Sequence, residues 1–214
     1  NRSWLEPSEA KDLSKLDPEA IERVKAEAWP QALNDDELHD TLMIHGFISE
    51  KEGLANEWEK LFGHLVTQNR ATRLLLKDDL ILWVPAERLN FFQAIYKDAA
   101  FSPAIKVPED MQKACSFEEA LREIIRGRLE ALGPTTAQEL ANSCGLPVGS
   151  IQSALIALEV EGFVFRGKFT PDVDIEEWCE RRLLQRIHKY TIESLRESIQ
   201  PVSVQDFMRF LFAY

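Results

Sequence analysis

The stretch that decides the fold runs from Phe117 to Thr170 and reads FEEALREIIRGRLEALGPTTAQELANSCGLPVGSIQSALIALEVEGFVFRGKFT. Its apolar residues first recur at helical spacing, and Gly133-Pro134 ends that pattern. Thr136 followed three residues later by Glu139 is a capping box, which predicts the start of a short second helix. Gly145 is a typical residue for ending it.

A third helix and a strand pair complete this unit. Ser150 can cap the third helix, and Gly162 ends it. Three aromatic residues mark the strand pair, with Arg166-Gly167-Lys168 at its tip: Phe163, Phe165 and Phe169. The order of helix, turn, helix and hairpin is that of a winged-helix unit. We assign this unit to residues 109–172.

The same order occurs once before, within residues 1–104. Asp17-Pro18 begins a first helix that Pro30 stops, and a second helix runs from about Asp35 to Gly46. The pattern then predicts four more elements: a helix over 54–66, strands over 73–77 and 80–84 joined at Asp78-Asp79, and a helix over 86–96. A linker follows at 103–108.

Helices alone are predicted after the second unit, over residues 173–214. A long helix spans about Ile175 to Ile199 and includes Trp178, and Ser203 caps a last helix. The fold class is therefore mainly α with small β-hairpins (α+β): tandem winged-helix-like units plus C-terminal helices. Both ends read like the middle of a longer polypeptide, so we expect an excised fragment that is truncated at its end.

The composition limits where the chain acts and what it binds. It has 25 Lys and Arg against 36 Asp and Glu, a formal net charge of -11, so any nucleic-acid contact needs a local basic patch. The three cysteines are far apart and lack CxxC spacing, which indicates reduced thiols in a cytoplasmic protein. No apolar run approaches transmembrane length, so no membrane partner is expected.

The winged-helix unit offers the first candidate nucleic-acid contacts. The second helix of a helix-turn-helix leads into the DNA groove with its N-terminal residues, which here include Ser150 and Gln152. These small polar side chains suit phosphate contacts better than base reading. Arg166 and Lys168 add two cations at the wing tip. The alternative is that the unit only packs against other domains.

A basic stretch in the long helix supplies the other candidates. On a helix, Arg182, Arg186 and Lys189 share one face and could follow a phosphate backbone. The alternative is a solvated face balanced by the acids one turn before it. The predicted nucleic-acid-binding residues of this stretch are Arg181, Arg182, Arg186, His188 and Lys189.

No catalytic or metal-binding residue is predicted. The sequence has no Gly-rich phosphate loop and no histidine spacing suited to a metal. Asp172 and Asp174 lie in the loop after the wing, where an acid could serve a glycosylase, although acids in loops are usually only solvated. We therefore expect this fragment not to be an enzyme and to bind no cofactor.

The sequence also resembles the region after the motor domains in the large helicase-related (Lhr-type) DNA helicases. The resemblance covers nearly the whole chain. It is carried by segments at 16–24, 27–30, 36–40 and 83–89, and most strongly by 162–164, 166–171, 177–179, 181–191, 201–203 and 206–211.

This resemblance implies a parent protein that is an ATP-dependent superfamily 2 helicase. Such an enzyme translocates 3′ to 5′ on single-stranded DNA and unwinds duplexes, including RNA–DNA hybrids, in DNA repair. Its ATP and Mg site would lie upstream, in RecA-like motor domains. The region itself would be similar in fold to AlkZ-type DNA glycosylases and would help clamp the tracking strand.

Three functional hypotheses follow. The first is an accessory DNA-clamp region of a helicase, with single-stranded DNA, RNA–DNA hybrids and the motor domains of the same chain as partners. The second is a DNA glycosylase-like catalytic domain, which only the fold kinship suggests. The third is a non-catalytic protein–protein scaffold that orients the motor domains.

Overall fold

A computed structural model of the chain describes residues 16–98, 100–105, 114–171, 173–198 and Met208. The fold is mainly helical with small antiparallel sheets, as predicted. The elements of the first half are α1 (Pro18–Ala28), α2 (Asp35–His45), β1 (Ile48–Ser49), α3 (Glu50–Ala55), α4 (Glu59–Thr67), β2 (Ala71–Leu75), β3 (Ile81–Pro85), a 3-10 turn (Ala86–Arg88), α5 (Leu89–Ile95) and β4 (Ala100–Ser102).

The second half contains the helix-turn-helix and its wing. Its elements are α6 (Phe117–Leu132), α7 (Ala137–Cys144), α8 (Val148–Val160), β5 (Val164–Gly167), β6 (Glu177–Glu180) and α9 (Arg181–Ser198). The last predicted helix, which Ser203 would cap, lies outside the described residues apart from Met208, and so do residues 106–108 of the predicted linker.

Local capping signals place several helices as predicted. The Asp17 side chain accepts a hydrogen bond from the Glu19 backbone N–H at 2.9 Å, and α1 begins at Pro18. Thr136 and Glu139 form the predicted capping box of α7. Gly145 ends α7 in the left-handed conformation that glycine adopts without strain.

The first sheet has the order β1-β3-β2-β4, with all neighbours antiparallel. The predicted hairpin is present, and Asp78 and Asp79 both have a φ of 57°. Two consecutive positive φ values give a tight turn whose twist matches that of the paired strands. Strand β4 was not predicted, because it is short and pairs with β2 far from it in sequence.

The predicted helix over 54–66 is wrong, because the chain breaks it into α3 and α4. Glu57 has a φ of 60° in the intervening turn. A Cβ on Gly53 would lie 2.1 Å from the Trp83 ring, so only glycine allows α3 to cross the sheet here. After the turn, Phe62 stacks on Trp83 with ring centroids 4.1 Å apart. Because α3 contacts the Trp83 ring at Gly53 and α4 contacts it at Phe62, the helix has to break between them for both to cover the ring.

The wing also differs from the prediction. Strand β5 pairs with β6, and a long loop separates them, so Phe169 lies in that loop and not in a strand. Trp178, predicted within the long helix, belongs to β6 and exchanges backbone hydrogen bonds with Thr135 at 2.7 and 2.9 Å. Helix α9 therefore begins only at Arg181. The Glu180 carboxylate accepts a hydrogen bond from the Leu183 N–H at its start.

The largest hydrophobic core draws on both sides of the predicted linker. It joins Phe47, Leu82 and Phe92 to residues of α6, α7 and α8. Helices α2 and α6 approach closely, since a Cβ on Gly127 would lie 2.5 Å from the Ile44 carbonyl oxygen. The two predicted units thus share one core, while the boundaries at 104, 109 and 172 remain predictions.

Two of the cysteines are free thiols buried in hydrophobic clusters. Cys144 lies in the largest core, and Cys179 packs between α1 and α9. Burial raises the pKa of Cys144 to about 11 and that of Cys179 to about 12. These thiols are therefore held in their neutral form at physiological pH.

No single helix among the described residues is long and apolar enough to cross a membrane. Helices α7 and α8 pass that test only as a pair, and they are bent by 119°.

Arg128 joins the two predicted units through a buried ion pair. It lies on α6 with its side chain 1% exposed. Its guanidinium donates to Glu52 Oε1 at 2.6 Å and to the Phe47 carbonyl oxygen at 3.2 Å. It also lies over the Phe47 ring, 4.6 Å from the centroid. Glu52 completes the capping box of α3 with Ser49, so this contact fixes the start of α3 as well.

We expect Glu52→Gln to destabilise the protein by about 2 to 3 kcal/mol, since the amide keeps the contact with Ser49 but leaves the Arg128 charge unpaired. This is below the cost for a fully buried pair, because solvent reaches Glu52. Urea unfolding followed by circular dichroism measures it.

The matched control for this variant is Asp36→Asn, which removes the charge of an exposed pair with Arg70. It should cost less than about 1 kcal/mol. Equal urea midpoints for the two variants would show that the Arg128–Glu52 pair does not hold the units together.

Candidate nucleic-acid interface

Helix α8 takes the place of the recognition helix. It begins at Val148, directly after Pro147, so Ser150 lies in its first turn and is not the cap that the sequence suggested. The reason is Pro147, whose carbonyl oxygen already accepts the Ser150 N–H at 3.0 Å. Ser150 is half-buried and Gln152 is exposed. Only Gln152 of this predicted pair is thus fully open to a ligand.

After its first two turns, the exposed residues of α8 are apolar. Residues 148–160 contain no Lys or Arg. Ile156 is 50% exposed and Val160 is 84% exposed, and Phe165 on the neighbouring β5 is also exposed. Beyond its polar first two turns, this helix therefore offers no group that attracts phosphate.

Acids neutralise the two cations predicted at the wing. Arg166 lies 3.4 Å from Glu159 and 3.9 Å from Glu176, and its guanidinium stacks over Trp178 at 5.5 Å. Lys168 forms an ion pair with Asp174 in the wing loop. That hydrogen bond lowers the pKa of Asp174. A phosphate would have to compete with these carboxylates.

One buried carboxylate organises the wing loop. Glu177 is 5% exposed and accepts hydrogen bonds from the backbone N–H groups of Phe169 and Thr170 at 2.8 and 2.7 Å. It also accepts the Thr170 hydroxyl at 2.7 Å. The loop thus has a fixed beginning, although no strand holds it.

Two of the predicted cations on α9 are engaged as well. Arg186 forms an ion pair with Glu27 of α1, and Lys189 lies 3.8 Å from Glu193. Tyr190 also donates to Glu27, at 3.1 Å. The contacts with Glu27 belong to the packing of α9 on α1, whereas the Lys189–Glu193 pair lies within α9. Of the predicted basic face, only Arg182 therefore has no ion pair among the described residues.

Arg181 and Arg182 differ from these cations. Both are exposed on the first turn of α9, and neither forms an ion pair with any residue that the structure describes. They line a cavity of about 470 Å³ with Gln185 and with Arg126 from α6. Arg126 was not predicted. Its neighbours in sequence, Glu123 and Glu130, make it look like one charge on an ordinary solvated helix face.

Acids border the same cavity but are partly satisfied. Glu161 pairs with both Arg122 and Arg126, and Glu180 is buried and caps α9. Burial, and then the nearby Glu180 carboxylate, raises the pKa of Glu130 against the opposing charge of Arg182. The Arg181–Arg182 pair thus remains the most available positive charge in this cavity.

The structure does not gather the nine predicted residues at one place. Ser150 and Gln152 lie at the start of α8, whereas Arg166 contacts Glu159 near its end. Lys168 and His188 line a common cavity of about 410 Å³ with Phe169 and Leu184. The binding of nucleic acid by these nine side chains therefore stays a prediction.

Comparison with known proteins agrees with the helix-turn-helix and wing. Residues 114–168 match the family of the DprA winged helix domain, so the chain contains a winged helix domain at the position that the sequence predicted. A segment of 111 residues is 30% identical to a protein of Mycolicibacterium smegmatis (strain ATCC 700084 / mc(2)155) that is named Lhr helicase/probable uracil glycosylase. The match spans 50% of this chain and 7% of that relative.

We expect Glu177→Ala to free the start of the wing loop, because three hydrogen bonds lose their acceptor. Amide hydrogen exchange at Phe169 and Thr170 should become about tenfold faster or more, while exchange in α6 stays slow. The exposed neighbour gives the control, since Glu176→Ala removes no such acceptor. Unchanged exchange at both amides would mean that Glu177 does not order the loop.

Proposed function

We propose that this chain is an accessory nucleic-acid-binding region of an Lhr-type, ATP-dependent superfamily 2 DNA helicase. In this role it helps clamp the single strand along which the motor moves. The winged helix domain and the partial likeness to an Lhr helicase support the class. The observation that carries the proposal is the exposed Arg181–Arg182 pair at the base of the wing.

The chemistry of this pair suits phosphate. Arginine presents a planar set of donors that can bind two phosphate oxygens at once. Both residues lie at the N-terminal end of an 18-residue helix, where the backbone dipole adds positive potential. Arg126 lines the same cavity, but Glu123 and Glu161 already engage its guanidinium, so Arg181 and Arg182 are the donors that remain. Contacts of this kind hold the backbone of a strand without reading its sequence.

The division of labour follows from the parent helicase that we propose. ATP and Mg²⁺ would bind to RecA-like motor domains outside this chain, and those domains would supply 3′ to 5′ movement and duplex unwinding in DNA repair. The region described here would contribute binding and not catalysis. The nucleic acids that it would bind are single-stranded DNA and the DNA strand of RNA–DNA hybrids.

The test is fluorescence anisotropy of a labelled single strand titrated with the protein at several salt concentrations. We expect weak binding that falls as salt rises. The double variant Arg181→Ala/Arg182→Ala should lower the affinity at least about tenfold. It should also reduce the salt slope by about 1.4, because each phosphate that an arginine neutralises on a single strand contributes about 0.7.

The matched control is Arg186→Ala, since Glu27 already engages that guanidinium. It should leave the affinity within about twofold of the unsubstituted protein. Equally weakened binding in both variants would show that the strand contacts the whole basic face of α9, including Arg186, and not the Arg181–Arg182 pair alone. No binding by the unsubstituted protein, even at low salt, would overturn the proposal and favour the protein–protein scaffold, for which the exposed apolar residues of α8 are suited.

A second candidate is a DNA glycosylase. The structure favours a catalytic acid in the cavity at Arg181 and Arg182 over the wing-loop acids that the sequence suggested. Asp174 is bound to Lys168, and Asp172 lies outside the described residues. Glu130 instead lines the cavity beside Gln185 and the Phe163 ring. There it could take a proton from the water that replaces the base at C1′ as the N-glycosidic bond breaks.

Release of uracil from a uracil-containing oligonucleotide tests this candidate. The unsubstituted protein should release the base, Glu130→Gln should lower the rate at least about a hundredfold, and Glu123→Gln on the same helix should not. An inert unsubstituted protein at high concentration, or a fully active Glu130→Gln variant, would exclude Glu130 as the catalytic residue.

A further inference from the structure

A groove runs between the first sheet and the turn of the helix-turn-helix. It consists of two neighbouring cavities of about 1010 and 570 Å³, and Lys77, Asp78 and Gly145 border both. The first cavity extends to α3, where Lys51 and Leu54 line it. The second extends to the end of α5, where its wall includes Tyr96, Lys97 and Asp98. We call this feature the hairpin groove.

The floor of the hairpin groove is held in place by contacts between the two halves of the chain. Tyr96 donates its hydroxyl to the Cys144 carbonyl oxygen at 2.6 Å. Gly145 packs on the hairpin, since a Cβ there would lie 3.0 Å from Leu80 and 3.7 Å from Leu76. The groove is therefore a preformed surface and needs no folding step to accept a ligand.

Three lysines stand along this groove with their charges available. Lys51, Lys77 and Lys97 are exposed, and none forms an ion pair with another residue in the part of the chain that the structure covers. Of the acids on the rim, Glu50 is paired with Arg73 at 3.1 Å. Asp78, Asp79 and Asp98 remain, so the groove is mixed in charge on a chain whose net charge is -11.

The surface between these lysines is apolar. Leu54 is 50% exposed, Leu75 is 38% exposed, and Leu80, Ile81 and Leu146 also line the walls. The ring of Tyr96 borders the second cavity. An apolar floor with one aromatic ring and flexible cations at the rim suits a strand whose bases lie inward and whose phosphates lie outward.

We infer that the hairpin groove is a second contact site for single-stranded nucleic acid, with Lys51, Lys77 and Lys97 on its phosphates and its bases against Leu54, Leu75 and Tyr96. This inference rests on the proposed function, because it assumes that a strand reaches the protein. The site borders Pro147, directly before α8, so the strand would pass the start of the recognition helix. The rim acids weaken this binding, and the phosphate contacts of the lysines make it fall as salt rises.

The first test compares Lys77→Ala with Lys60→Ala in the same anisotropy titration. Lys77 borders both cavities, whereas Lys60 is exposed on α4 and lines neither of them. We expect Lys77→Ala to weaken single-strand binding roughly fivefold and to reduce the salt slope by about 0.7, with no change for Lys60→Ala. Both side chains lie on the surface, so both variants should fold.

The second test is lysine acetylation read by mass spectrometry, with and without a single-stranded oligonucleotide. Protection of Lys51, Lys77 and Lys97, with Lys60 labelled equally in both samples, supports the site. Equal labelling of all four lysines while the oligonucleotide is bound overturns it.

The two proposals fail in different ways. If the unsubstituted protein binds the strand and Arg181→Ala/Arg182→Ala weakens it, but Lys77→Ala matches Lys60→Ala, the proposed function stands and the hairpin groove is overturned. If the unsubstituted protein binds no strand at low salt, both are overturned. Weaker binding for the Lys77 variant with no change for the arginine variant would place the strand in the groove alone.

Discussion

The buried guanidinium of Arg128 has to be neutralised inside the protein, and this constraint ties the winged helix domain to the elements before it. A charge removed from water is costly unless an opposite charge and hydrogen-bond acceptors meet it. Here the acceptors are Glu52 and the Phe47 carbonyl oxygen, both from the first half of the chain. The same placement of α6 against the first half of the chain brings α2 and α6 close together at Gly127 and forms the shared hydrophobic core. A winged helix domain cut out alone would expose this arginine and its core face.

The elements that were predicted correctly are those whose signals are local. Asp17-Pro18 and Thr136 with Glu139 cap their helices through neighbours two or three residues away, and such contacts can be read from the sequence. Trp178 was misplaced because it pairs with β5 on one side and, 43 residues earlier by their numbering, with Thr135 on the other. An apolar residue in helical phase gives no sign of either pairing. The break at Glu57 was missed for the same reason, since it depends on the burial of Trp83.

The candidate interface was predictable only as a set of charges. Sequence identifies Arg186 as a cation but not that Glu27, which lies on α1, engages it. It gives equal weight to Arg182 and Arg186, which the fold makes different. The lysines of the hairpin groove are isolated in sequence, and only the docking of Gly145 on the hairpin places them along one surface. Electrostatic availability is thus a property of the tertiary structure and not of composition.

The absence of Lys and Arg from the whole of α8 has a consequence for how a bound strand would move. In the proposed complex, the groove lysines and Arg181 and Arg182 hold phosphates, which repeat identically at every nucleotide. No basic side chain of α8 reaches toward a base edge to favour one register over the next. The free energy of the bound strand would then be nearly the same at each step, so the strand could slip forward one nucleotide at a time without a deep energy minimum to arrest it.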